Sequence, residues 1–574
     1  MVYGICMPHL YKKTFKGRTY WYLREVHRVG GKVQVKWQKY LGTAETILAR
    51  IEDAERAGRP ARLKTESFGA IFVAHCLEHE LDTIGIIDGI IQRSPNETGP
   101  TVGEYFFYAW ANRMIDPRSK RALEDWYRTT AVQHIRPVDL SQLSSERYWE
   151  KWERLSAEQI EQIGKRFLQK LWTRHNQSPH SLLFDTTNYY TYMASKTESE
   201  LAVRGHSKSG KHHLRQVGLG LLLDRASSLP LYYTAYPGNL HDSRLFRQVL
   251  DELFGVIMGF AEAQRELTVV FDKGMNSEDN LELIDSRHQI HFITTYSTYF
   301  AEELARINAK HFVPLDIAKN RQLIASGKEG DRLCAFRTTE ILWGSQRTVV
   351  VTFNPATMRK KLYDHTRKLE RLRDELIEYR RKYNHKQRNW QSATAVARRY
   401  RKLCDQLYIS HKCYRLGFEN NTMSFRKDAS EIGAIEAAMG KNIIVTDNHD
   451  WSTEDIVSAS LDRYRIEQQF RASKSSSHIR VNPMFHWTDS KIRCHLLTCV
   501  IALACLRLLE IKTGGKHTAK CIMEQMEQLD CVLSWQRKKT TPQVHIEDPT
   551  EFQAQVLASL GYQIKDGSVL QISA

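Results

Sequence analysis

From His180 onward the sequence stops reading as helix and becomes a succession of strands, and this change constrains the fold more than any other feature. Ser181–Tyr190 (SLLFDTTNYY), Leu214–Asp224 (LRQVGLGLLLD) and Leu229–Tyr236 (LPLYYTAY) are rich in β-branched, aromatic and aliphatic residues, with a turn around Ala226–Ser228. Three such runs in order predict an antiparallel meander. Pro237-Gly238-Asn239 ends it, and a helix is expected from about Asp242 to Met258. The buried strand LTVVFDKG, the helix SEDNLELID and the strand HQIHFITTY follow. Strand–helix–strand alternation implies parallel pairing and an α/β architecture.

The flanks read differently. Tyr20–Leu41 has the pattern of a β-hairpin turning at Gly30-Gly31, with a basic face of Arg24, Arg28, Lys32, Lys36 and Lys39. Ser67 to about Leu171 reads as an all-helical module, with one helix across Ile71–Ile91 and another stopping near Asp116-Pro117. Between 300 and 440 the α/β rhythm breaks. Leu362, Leu369, Leu372, Leu376, Tyr379 and Tyr383 form a heptad stripe that Val396, Tyr400, Leu403 and Leu407 repeat, so a helical hairpin looping through Asn384–Ser392 is predicted. It carries 16 Lys or Arg against 5 Asp or Glu between Arg359 and Lys402, a phosphate grip or simply a solvated face. NIIVTDN then resumes a strand, and one helix is expected from Trp451 to about Lys474, with Ser452 as its N-cap. A second apolar helix spans Lys491–Lys512, and the last sixty residues read as a small mixed tail.

Charge narrows the partner. The chain of 574 residues has a formal charge of +17, which favours an anionic partner, nucleic acid ahead of a membrane surface. Leu496–Leu509 is too short to span a bilayer and is interrupted by Arg507, so it is expected to be buried. No secretory signal is visible and the ten cysteines show no CxxC pair, which suggests reduced thiols and a cytoplasmic setting. Cys404, His411 and Cys413, and likewise Cys494, His495 and Cys499, lack zinc spacing and read as core filling.

Three acids stand out. Asp185 lies inside an apolar strand, where a carboxylate is costly unless it is paired, hydrogen-bonded or metal-bound. Asp272 ends a buried strand ahead of Lys273-Gly274, a position suited either to a ligand site or to a helix N-cap. Glu467 shares a helix face with Arg463, Arg471 and Lys474, which reads as a site or as solvated ion pairs. GHSKSGK at Gly205–Lys211 approaches a phosphate-binding loop, but His212 stands where the required hydroxyl belongs, so nucleotide binding is rejected. Trp343, Trp390 and Trp451 could stack on an extruded base, though packing explains each more simply.

Together these residues resemble the DDE transposases of the insertion sequence 4 superfamily, whose signature is Y-x2-R-x3-E-x6-K. Arg463, Glu467 and Lys474 match its spacing, and Ser460 stands where the family carries tyrosine. LLFDTTNYY resembles the strand of the first aspartate, and VVFDKGMNSEDNLELI the block of the second. NRMIDPRSK and VNPMFHWTDSKIRCHLLTCVIAL resemble helical regions of the family.

The resemblance implies an α/β fold: an RNase H-like mixed sheet core with a helical N-terminal region and an inserted helical hairpin domain. It implies catalytic, metal-ligating Asp185, Asp272 and Glu467 holding two Mg²⁺ ions, with Mn²⁺ able to substitute. In that assignment Asp185 bridges both ions, Asp272 holds one and Glu467 the other. Arg463 and Lys474 would contact DNA phosphates, and Lys208 and Lys211 would approach from a nearby loop. The expected organisation is a β-hairpin region at 1–65 and a helical module at 66–175, both possible DNA readers. The core follows at 176–298, the insertion at 299–440, the second core part at 441–512 and a C-terminal region at 513–574. The implied activity is cut-and-paste transposition by a homodimer or larger synaptic complex. Its partners would be terminal inverted repeats and target DNA in a prokaryotic nucleoid, with no membrane. A non-catalytic DNA-binding descendant and an RNase H-like nuclease without strand transfer are the competing readings.

Overall fold

Eight strands of the largest sheet are labelled here: β1 (Ser181–Thr191), β2 (Arg215–Asp224), β3 (Pro230–Pro237), β4 (Leu267–Phe271), β5 (Ile290–Tyr296), β6 (Cys334–Leu342), β7 (Ser345–Phe353) and β8 (Lys441–Thr446). They come from a computed structural model that describes residues 8–29, 32–56, 60–175, 180–193, 197–205, 210–260, 266–287, 289–298, 301–536 and 540–572. The chain divides into two compact units. One comprises residues 176–188 and 218–468, the other residues 1–175, 189–217 and 469–574.

In the first unit the strand order is β6-β7-β8-β5-β4-β1-β2, with β3 on the far side of β2. The backbone N–H of Arg225 donates to the carbonyl of Ser181, so the end of β2 lies against the start of β1. The predicted turn closes between β2 and β3, where the buried Asp224 carboxylate accepts from the backbone N–H and the hydroxyl of Ser227, each at 2.7 Å. A connection this short permits only antiparallel pairing. β4 pairs in parallel with both β1 and β5. Three sequential strands, then two parallel strands added on the side of the first, give the order 3-2-1-4-5, which is an RNase H-like core. β1 and β4 are buried almost throughout because the sheet is covered on both faces. The helices Asp242–Phe260 and Glu278–Asp285 make the connections that parallel pairing requires.

β8 pairs antiparallel with both β5 and β7, so the resumed strand completes the sheet across the insertion. Trp343 and Gly344, both with positive φ, turn β6 into β7. The indole of Trp343 packs edge-on to Tyr296 at 5.2 Å. The inserted hairpin is present as α1 (Pro355–Asn384) and α2 (Ala393–Leu407). Leu369, Leu372, Leu376 and Tyr383 pack with Val396, Tyr400, Cys404 and Leu407 in its core. Cys413 joins that core, so Cys404 and Cys413 are packing residues as expected. Trp390 lies against Tyr379 and under Arg399.

One expectation fails here. The single helix predicted over Trp451–Lys474 is two helices, α3 (Thr453–Leu461) and α4 (Tyr464–Lys474). Ser452 caps α3 as predicted, accepting from the Asp455 N–H. The break falls at Asp462-Arg463 because Asp462 is held by Arg225 at 2.7 Å and by Arg465 at 3.3 Å. Hydrophobic spacing runs through the break unchanged, which is why the sequence does not reveal it.

In the second unit the apolar helix Asp489–Lys512 is the core element. It is long and apolar enough to cross a membrane, yet 83% of its most apolar window is buried inside the protein. Helix Val102–Ile115, opened by a Thr101/Glu104 capping box, is buried along most of its length. The predicted Ile71–Ile91 helix is split into Gly69–Leu81 and Thr83–Asp88, with Asp82 in the left-handed region between them. Cys494, His495 and Cys499 are buried, and among the described residues all cysteines are free.

The N-terminal hairpin gains a third strand, giving His9–Phe15, Arg18–Val29 and Lys32–Gly42; its Gly30-Gly31 turn lies outside the described residues. The tail is not separate. Asp530–Gln536 pairs antiparallel with Pro60–Ser67, a contact spanning most of the chain that local pattern does not encode.

Candidate active site

Parallel pairing of β1 with β4 decides where the two aspartates stand. Ser181 is level with Thr268, Leu182 with Val269 and Leu183 with Val270. The paired residues end at Leu183 and Val270, two short of Asp185 and Asp272, so each aspartate lies just beyond the paired segment of these neighbouring strands. Residues two apart on a strand share a face, so the Asp185 carboxylate belongs to the face of Leu183. Sites in such sheets gather where strands end, and Asp272 directly follows β4.

Asp272 is not merely local chemistry. Asp272 occupies the N-cap position of the short turn Lys273–Met275, yet its side chain makes no capping hydrogen bond. It turns instead to Arg463, whose Nη1 lies 3.0 Å from Oδ1. The Thr295 hydroxyl donates to the same oxygen at 3.5 Å. The Asp272 side chain remains 40% exposed and that of Arg463 only 16%. Asp185 is half-buried between buried Phe184 and Thr186, and its Oδ1 accepts from the Thr186 N–H at 2.8 Å.

The third acid arrives through the helix break. Arg463 precedes α4, and its carbonyl accepts from the Glu467 N–H at 3.3 Å, so Glu467 begins one turn beyond the residue paired with Asp272. Glu467 is exposed in the first turn of α4, where a carboxylate is also favoured by the helix dipole. The structure thus puts Asp185 and Asp272 on or just after neighbouring strands, and ties the start of the glutamate helix to Asp272. It does not close all three onto one point: among the described residues no three His, Cys, Asp or Glu side chains are grouped to hold a metal ion. Carboxylates brought together repel one another, and here Arg463 supplies the positive charge beside Asp272. As a donor set the three fit a hard divalent cation, being all oxygen and open on at least the Asp272 and Glu467 sides.

Lys474, at the far end of α4, holds its ammonium 5.6 Å from the Tyr189 ring. Lys211 sits 4.3 Å over the Tyr190 ring. Lys208 lies outside the described residues, with the rest of 206–209. Sequence reasoning missed Arg225 and Asp462, the ion pair that fixes the break and so aims Arg463. A separation of 237 residues leaves no local signal for it.

The strand order 3-2-1-4-5, with Asp185 on β1 and Asp272 directly after β4, is that of an RNase H-like fold. Within that class, residues 185–504 match the family described as Transposase DDE domain, more than half of the chain. The protein belongs to that family.

Comparison with curated proteins gives no match. Among solved structures, a piggyBac transposase in a synaptic complex with hairpin DNA aligns at 9% identity and a TM-score of 0.37, covering 79% of this chain and 78% of the other. A Mos1 transposase in a paired-end complex with the left transposon end aligns at 12% identity and a TM-score of 0.15, covering 44% of this chain and 84% of the other. At those scores neither overlay adds to the strand order and the family match.

Proposed function

We propose that this protein is a DNA transposase of the insertion sequence 4 type, cutting and rejoining phosphodiester bonds at the ends of a mobile element. The observation that supports this reading is the parallel pairing of β1 with β4, the strands that lead to Asp185 and Asp272, inside a matched transposase domain. Asp185, Asp272 and Glu467 are the residues that would hold two divalent ions, Mg²⁺ or Mn²⁺. Bound there, such a pair supplies activation of the attacking oxygen and stabilisation of the leaving one in an in-line displacement.

The chain's own groups do the rest. Arg463 balances the charge of Asp272 and stands ready to exchange that carboxylate for a phosphate, to which a guanidinium binds in a bidentate manner. Lys474 and the loop lysines Lys208 and Lys211 are assigned to the DNA backbone. The N-terminal sheet and the helices at 66–175 are assigned to reading the element's ends, in a dimer or larger synaptic assembly. The mostly solvent-facing strand His9–Phe15, with Lys12 and Lys13, supports a role outside the core.

Purified protein with Mg²⁺ is expected to nick DNA carrying its element's ends and to join the freed 3′-OH to a target. Nicking without joining would leave a nuclease. Binding without either would leave a non-catalytic DNA-binding protein.

A further inference from the structure

Away from the three acids, the second unit contains a cavity of about 650 Å³ whose lining is chemically one-sided. Its cations include Arg113, Lys120 and Arg480, and among the described residues no Asp or Glu lines it. Lys120 is 6% exposed and its Nζ makes no hydrogen bond. That ammonium instead faces the rings of Tyr148 and Trp152 at 5.0 and 4.8 Å. Arg113, equally buried, spends its Nη1 on the carbonyls of Ile479 and Arg480, while its Nε is unbonded. Among the described residues neither makes an ion pair. Two buried cations without a counter-ion are costly, and such a cost persists where an anion is to be received.

The mouth is aromatic. Tyr192, Phe485 and Trp487 are exposed to 43%, 61% and 55%, which is unusual for large apolar side chains gathered at one place. Tyr192 and Phe485 stack at 5.5 Å with a 22° interplanar angle, forming a flat shelf. Cations at the floor with exposed rings at the rim are the combination that binds unpaired nucleotides, the rings taking the base and the cations the phosphate. A phosphate alone would have no use for the shelf, and an apolar ligand none for the floor.

We propose that this cavity takes an unstacked nucleotide of a DNA strand, its phosphate directed to Lys120 and Arg113 and its base laid on the Tyr192–Phe485–Trp487 shelf. The proposal rests on the reading that DNA is the partner, and adds a site for single-stranded or extruded DNA apart from the acids.

The test uses the full chain in EDTA, so that nothing is cut. Fluorescence anisotropy compares a blunt duplex with the same duplex bearing a short single-stranded overhang, with 2-aminopurine placed in the overhang to report stacking. Wild type is expected to bind the overhang duplex roughly tenfold more tightly and to quench the 2-aminopurine. Phe485→Ala/Trp487→Ala should erase the preference and the quenching while leaving blunt-duplex affinity unchanged. Lys120→Met should weaken overhang binding yet melt at a higher temperature, because it removes a buried unpaired charge; a purely structural lysine would do the opposite. Equal affinity for both duplexes in wild type, or a preference surviving in the double variant, overturns the proposal while leaving DNA binding intact. If free dAMP competes as well as the overhang strand, the site serves mononucleotides and the DNA assignment fails. If neither duplex binds, the transposase reading falls and this proposal with it.

Discussion

A carboxylate in a buried strand needs a partner, and the partner found here is informative. Asp272 declines the backbone cap open to it and pairs with Arg463, the residue one turn ahead of Glu467. Asp185→Asn, Asp272→Asn and Glu467→Gln are each expected to abolish metal-dependent DNA nicking in a gel assay while retaining DNA binding. Full cutting by any one would remove that residue from the site. Because the Asp272–Arg463 pair is partly exposed, Asp272→Asn should cost no more than about 1 kcal/mol of stability. Mg²⁺ should raise the melting temperature of the wild type through binding linkage, and raise it less in Asp185→Asn. An equal rise in both would place the metal elsewhere.

At the scale of elements, close approach and burial set the constraints. A Cβ at Gly218 in β2 would lie 2.2 Å from the Tyr236 ring of β3, so Gly218→Ala must displace that ring or spread the strands. A loss of roughly 1–3 kcal/mol is expected in urea unfolding, and an unchanged midpoint would refute the overpacking argument. In the inserted hairpin, Leu372 is fully buried, and Leu372→Ala should cost about 2–5 kcal/mol. Helix Gly69–Leu81 carries a pH-dependent liability. Burial pushes the Glu78 carboxyl up to about 7, although the Thr83 hydroxyl and the Ile84 N–H donate to it. With the folded value above the unfolded one, this group's stability contribution is full below about pH 4.5 and is lost as pH rises through 7. Glu78→Gln should therefore raise the melting temperature at pH 8 and have little effect at pH 5. The opposite ordering would show that Glu78 is held as a carboxylate.

Across the whole molecule, contacts distant in sequence carry the architecture. The pairing of Asp530–Gln536 with Pro60–Ser67 makes the C-terminal residues part of the second unit. Truncation after Leu529 should leave 60–67 an unpaired edge and speed hydrogen exchange there by orders of magnitude. Unchanged protection would mean that the helices alone hold that unit.

The strands of the core were readable because each carries its own length, composition and turn signals. LTVVF, HQIHFITTY and the Ser227 turn needed no tertiary information. The hairpin insertion was readable for the same reason, since its heptad stripe is local. Asp185 and Asp272 could be picked out by residue type in an apolar setting and by resemblance, but that their strands are neighbours was decided by the β1–β4 pairing. The break before α4, the Arg225–Asp462 pair that fixes it, and the cation-floored cavity built from Arg113–Lys120 and Arg480–Trp487 were not legible at all. Sequence determines what lies within about a turn or a strand of each residue, because propensity and periodicity act at that range. Which distant side chains share a face is set by packing, and only the folded chain decides it.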